Sequence, residues 1–113
     1  MEEKDESPKV QVKANRYEEK REGKTIRWKV DDCVIVEGNE EEVIRILSIE
    51  KTSVTGNCYM LKFDADGLPY FILSEFSTLV SVDISLLSTP LIRATDESEP
   101  GKWYILDLIY HTH

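Results

Sequence analysis

The chain has 113 residues, 41% of them hydrophobic and 32% charged, with 22 acids against 14 bases and a net charge of −8. That bounds it to one domain, and no apolar run approaches the ~18 residues of a membrane span. An acidic surface repels phosphate backbones and attracts cations, which disfavours direct nucleic-acid binding and favours a basic protein or peptide as partner. Plain solubility is the simpler use of the same charge.

Residues 1–24 hold seven acids and seven bases, one proline and few apolar side chains. Such a segment buries too little to offset its ordering entropy, so it reads as a charged flexible tail preceding a domain at 25–113. Within it, Val10–Lys13 has the pattern of an edge strand. Tyr17–Glu22 is either one helical turn or a place where Tyr17 packs on the core. The opening Met1–Glu6 has no apolar signal region, which predicts a soluble, intracellular protein.

From Lys24 onward six stretches alternate or run apolar over strand lengths: Ile26–Val30, Cys33–Glu37, Val43–Lys51, Asn57–Asp64, Pro90–Thr95 and Trp103–Tyr110. Turn residues separate them, at Asp31-Asp32, Glu37-Gly38-Asn39, Thr55-Gly56-Asn57, Asp64–Pro69 and Glu97–Gly101. Trp28–Gly38 reads as the first hairpin. The region Pro69–Leu87 is less regular: Phe71–Phe76 has the pattern of a short strand, and Val82–Leu87 of a strand or a single helical turn. The last stretch is apolar on both faces, as in a strand buried within a structure. Many short strands at close spacing predict a mainly β fold, a small antiparallel barrel with short helical turns.

Cys33 and Cys58 each sit in an apolar strand pattern and read as small buried hydrophobes. A metal site from Cys33, Cys58, His111 and His113 lacks a close-spaced pair, and both histidines fall in the last three residues. No Gly-rich phosphate loop and no nucleophile beside a placed base is visible, so no catalytic residue and no cofactor is expected. Asp31-Asp32 and Asp64-x-Asp66 lack the further ligands of a calcium loop and read as turns.

Three blocks, in order, are similar to a known family. Thr25–Val36 resembles the opening "x-Val-Gly-Asp-x-Val-x-Val" of the bromo-adjacent homology (BAH) domain, a β-rich chromatin module. Val43–Ile49 resembles its "Tyr-Val-Ala-Arg-Ile-x-x-Ile", and Phe71–Phe76 with Val82-Asp83-Ile84 resembles "Leu-Phe-Leu-Ser-x-x-x-Asp" and the later Ile. Trp103–Leu106 fits the closing aromatic strand. The chain departs where methyl-lysine-reading members place a cage Trp, since Lys62 stands there before Phe63, and a cation would repel a quaternary ammonium guest.

The resemblance implies a BAH-like barrel in the nucleus that binds a basic partner such as a histone tail or nucleosome surface. The residues expected at that surface are the aromatics Tyr59, Phe63, Tyr70, Phe71 and Trp103, with the acids Asp64, Asp66 and Glu75. The alternative is a scaffold or adaptor that docks another protein through an apolar strand surface, independent of histones. A third is an acidic mimic of nucleic acid. In each the protein is a monomer or a subunit of a complex, without membrane contact.

Overall fold

The computed structural model describes residues 11–13 and 16–108, the first group by backbone alone. In chain order the strands are β1 (Gln11–Lys13), β2 (Arg16–Arg21), β3 (Lys24–Lys29), β4 (Cys33–Val36), β5 (Asn39–Ile49) and β6 (Ser53–Met60). They are followed by β7 (Lys62–Phe63), β8 (Pro69–Ile72), β9 (Thr78–Asp83), β10 (Arg93–Thr95) and β11 (Lys102–Ile105). Two 3-10 turns, Leu73–Glu75 and Ile84–Leu86, complete the elements among the described residues.

The mainly β expectation holds, but the strands do not close into a barrel. Among the described residues all pairing is antiparallel, in three sheets ordered β1-β2-β3, β4-β5-β6-β9 and β10-β11-β8-β7. The expected hairpin at Trp28–Gly38 is instead a corner between sheets: β3 pairs back with β2, and β4 pairs forward with β5. Asp31 turns that corner in the left-handed region, at φ 80°. Its N–H donates to the Ile46 carbonyl at 2.8 Å, and the Ile46 N–H donates to the Asp32 carbonyl at 3.0 Å. The Asp32 carboxylate accepts from the Lys29 N–H at 2.9 Å. Both acids therefore do turn work, as the sequence implies.

The boundary drawn after residue 24 falls one residue into β3, within a hairpin. Arg16–Arg21 pairs along its length with Lys24–Lys29, and Tyr17 is buried against Trp28 with ring centroids 5.5 Å apart. Tyr17–Glu22 is thus not a helical turn, because one aromatic anchor suffices to seat an otherwise charged strand. Gln11–Lys13 adds the edge strand. The rest of the expected tail, residues 1–10, 14 and 15, lies outside the described residues, as do Ile109, Tyr110, His111 and His113. β11 ends at Ile105, earlier than the apolar run suggests. The irregular region holds a strand that the pattern did not mark over its full length, β9, and Ile84–Leu86 takes the helical-turn alternative.

The middle sheet is buried on both faces, and period-2 alternation decides which residue goes where. Val34, Ile44, Ile46, Val54 and Cys58 face one core, which includes Tyr17, Ile26 and Trp28 from the β2-β3 hairpin together with Ile84 and Leu87. Cys33, Ile35, Val43 and Tyr59 face the other, with Leu61, Phe71 and Ile105. The two cysteines are free, buried and in different cores.

Burial keeps both thiols protonated. Desolvation, reinforced by the Glu42 carboxylate that accepts from Cys58 Sγ at 3.2 Å, pushes Cys58 from 9.0 up to about 11. Desolvation also raises Cys33, against the opposing pull of Arg93 and Arg45. Tyr17 rises from 10.0 to about 12, first through desolvation and then through its hydrogen bond to Glu19. Each folded value lies above the unfolded one, so the stabilisation is complete below pH ~9 and is lost as pH climbs through the folded values. Denaturant midpoints should be level from pH 7 to about 9 and then fall towards 12, and a thiol reagent at pH ~8 should modify neither cysteine without denaturant.

Candidate functional site

The aromatic and acidic residues singled out from the sequence cluster around the β8-β11 pair, but most of them are engaged by the chain's own groups. Tyr59 and Phe71 are core residues, 2% and 0% exposed, with centroids 4.7 Å apart. They line no open surface. Trp103 packs edge-on against Phe71 at 5.7 Å, and its ring faces two of the chain's own guanidiniums, Arg93 at 3.8 Å and Arg45 at 5.3 Å. Arg93 Nη1 also donates to the Asp31 carbonyl at 2.7 Å, and Arg45 Nη2 pairs with the Asp31 carboxylate at 2.9 Å. The Trp103 cations thereby hold the corner of the fold in place.

Tyr70 is similarly occupied. The Lys102 ammonium lies 4.4 Å from the Tyr70 ring centroid and 5.2 Å from that of Tyr104, so an internal lysine stands between the two tyrosines where a foreign cation would have to sit. Asp64 is a turn acid: its Oδ1 accepts from the N–H groups of Leu68 at 2.9 Å and Asp66 at 2.8 Å. Those backbone bonds, Leu68 first, with Tyr104 and Lys102 assisting, hold its carboxyl below the usual 3.8. Asp66 is exposed on the same turn, and Phe63 is half-exposed on β7. Glu75 is taken by Lys62, Nζ to Oε1 2.6 Å, and that bond raises the lysine. Lys62 thus anchors an acid expected to meet the partner.

An acidic cleft lies elsewhere, between the turn that joins β2 to β3 and the turn that joins β4 to β5. It encloses about 410 Å³ and is lined by Arg21, Glu22, Ile35, Glu37, Gly38, Glu40, Ser85, Leu87 and Ser88. Glu22, Glu37 and Glu40 are exposed on its rim. Arg21, the one cation lining it among the described residues, is turned to structural use, donating to the carbonyls of Leu87 at 2.9 Å and Ile84 at 3.2 Å and to Glu19. The floor is fixed by Ser88, whose hydroxyl accepts from the Ile35 N–H at 3.1 Å.

Comparison with protein-family models, with curated proteins and with solved structures finds no match. The chemistry of the site therefore rests on its own geometry. Among the described residues no three His, Cys, Asp or Glu side chains gather as a metal site would require. What the cleft offers is a set of exposed carboxylates brought together from two turns, a surface suited to a cationic side chain.

The cleft was missed in the sequence because its carboxylates come from two turns. The signal present was the acidic run Glu40-Glu41-Glu42 following Glu37-Gly38. Glu22 falls within the charged segment that reads as a tail, and only the β2-β3 hairpin brings it to the same cleft.

Proposed function

We propose that this chain is a non-catalytic protein-interaction module that binds a basic segment of another protein at the acidic cleft. The BAH-like resemblance makes a histone tail in the nucleus the first partner to consider. The observation that carries the reading is Glu22. It and Gly23 form the two-residue loop of the β2-β3 hairpin, with Arg21 opposite Lys24, and their φ angles are 53° and 81°. That geometry calls for Asn-Gly, and a long β-unbranched acid in the left-handed region costs about 1 kcal/mol. Like charge on the same rim adds to the cost. A residue that is locally unfavourable but completes a rim of carboxylates is the expected mark of a binding site.

The engaged state of Tyr70, Trp103 and Glu75 favours recognition of charge over recognition of a methyl mark. Glu22→Asn should therefore raise folding stability by about 0.5–1 kcal/mol, measured by urea denaturation. The same variant should bind an unmodified, lysine-rich histone-tail peptide about threefold more weakly at low salt. Unchanged affinity would remove Glu22 from the site. The scaffold reading is favoured by one observation, the exposed apolar side chains Phe76 and Leu79 beside and on β9, 50% and 60% exposed. Partner binding that persists unchanged in ~0.5 M salt would select it, since exposed ionic contacts are screened there.

A further inference from the structure

The outer strands of the three sheets are unequally protected against pairing with another chain. β1, β10 and β7 have three, three and two residues. β3 is longer but carries Lys24, Arg27 and Lys29. The outer side of β4 is covered by the segment that follows Ile84–Leu86. Glu37 N–H donates to the Leu86 carbonyl, Ser88 N–H to Ile35, and Leu91 N–H to Cys33, with bridges Val36–Leu87 and Cys33–Leu91. Short edges, edge cations and covering segments are the usual devices against strand addition.

β9 has none of them. Thr78-Leu79-Val80-Ser81-Val82-Asp83 runs six residues without Pro, Lys or Arg and pairs with β6 on one side. Among the described residues, no other element bonds to the backbone of its opposite side. A strand added there would continue the first core, because Val80 and Val82 pack half-buried against it. On its other face it would meet Leu79, Ser81 and Asp83. Such an occupant alternates apolar and polar side chains.

Charge selects the kind of polar side chain. Residues 30–113 hold fifteen acids against five bases, and Asp83 lies on the strand itself. A second copy of the chain would bring two such bodies edge to edge, whereas a basic segment is attracted. We propose that β9 accepts an extended, alternating apolar and basic segment of a partner protein as a fifth strand of the β4-β5-β6-β9 sheet. This rests on the reading of the chain as a binder of basic protein segments, and it adds a second place of contact, apart from the cleft, where the partner pairs through its backbone.

The test uses the full chain and a capped eight-residue peptide alternating lysine and valine, with a glutamate-valine peptide as its counterpart. The lysine peptide should bind at low salt and slow amide exchange within Thr78–Asp83. Leu79→Lys should weaken it about tenfold, as a cation placed on an edge does, while Thr95→Lys on the remote β10 should not. Thermal melts confirm that both variants fold. Binding undiminished by Leu79→Lys, with β9 exchange unchanged, would overturn edge pairing while leaving the basic-partner reading intact. Equal binding of the glutamate peptide would overturn the charge selection. Protection of β9 that grows with protein concentration in the absence of peptide would make a second copy the occupant, against the proposal. No binding of the lysine peptide or of a lysine-rich histone tail at low salt would overturn both readings together.

Discussion

Gly56→Ala is expected to cost about 3 kcal/mol, at the upper end of what overpacking a protein interior costs. Gly56, expected in a turn, lies instead in the middle of β6, opposite Ile46 on β5 and Val80 on β9, so it is paired on both sides. A Cβ there would stand 2.3 Å from the Arg45 carbonyl oxygen, 2.8 Å from Ile44 Cγ2 and 3.0 Å from the Arg45 carbonyl carbon. The first and third of these are backbone atoms of the neighbouring strand, which cannot swing aside as a side chain can. The register between β5 and β6 shifts between Ile46 and Ser48, immediately beside this close approach. The glycine lets the irregular strand cross tightly, and one methyl group would force β5 away from β6. Urea denaturation should show the loss as a lowered midpoint with an unchanged slope, and the melting temperature should fall by roughly 12–24 °C. A loss under about 1 kcal/mol would mean that β5 can move, contrary to this packing.

Trp28→Ala is expected to cost about 3–5 kcal/mol. Trp28 is fully buried, packs on Tyr17, and has the Arg21 guanidinium 5.0 Å from its ring centroid. Its Nε1 donates to the Ser88 carbonyl at 2.9 Å, joining the hairpin to the segment that forms the cleft. Alanine leaves a large cavity and an unpaired carbonyl. Trp28→Phe separates these effects, since it keeps most of the apolar volume and should cost about 1–3 kcal/mol for the lost donor. With total stabilities of about 5–15 kcal/mol typical of small domains, the alanine variant should be largely unfolded by mild heating, measured by circular dichroism. If Trp28→Phe is as stable as the parent chain, the indole N–H is not the tie between hairpin and cleft.

The strand positions that the sequence revealed are those where period-2 alternation is undisturbed. Ile26 and Trp28 read correctly as inward, with Thr25, Arg27 and Lys29 outward. So did the burial of Cys33 and Cys58. Sheet membership was not legible, because Asp31 can serve a hairpin or a corner and only its bonds to Ile46, Arg45 and Arg93 decide between them. The β2 strand was hidden by its charge: a run of Glu, Lys and Arg reads as solvated, and a single buried tyrosine reverses that.

For the candidate site, residue types were read well and their engagement was not. Tyr70, Trp103, Asp64 and Glu75 do lie in one region, but pairing with Lys102, Arg93, Arg45 and Lys62 is a matter of three-dimensional proximity. Lys62 was read as a missing cage wall, and its ion pair with Glu75 supplies the physical role. The acidic cleft required both turns to be placed before Glu22 could be set beside Glu37 and Glu40.

The most direct measurement is calorimetric titration of the full chain with one lysine-rich histone-tail peptide, in unmodified and trimethyl-lysine forms, at about 0.05 M and 0.3 M salt. Recognition of charge by the cleft predicts equal affinity for the two forms within about twofold, falling by about tenfold at the higher salt. No binding at low salt, or a preference of about tenfold or more for the trimethylated form, would contradict it.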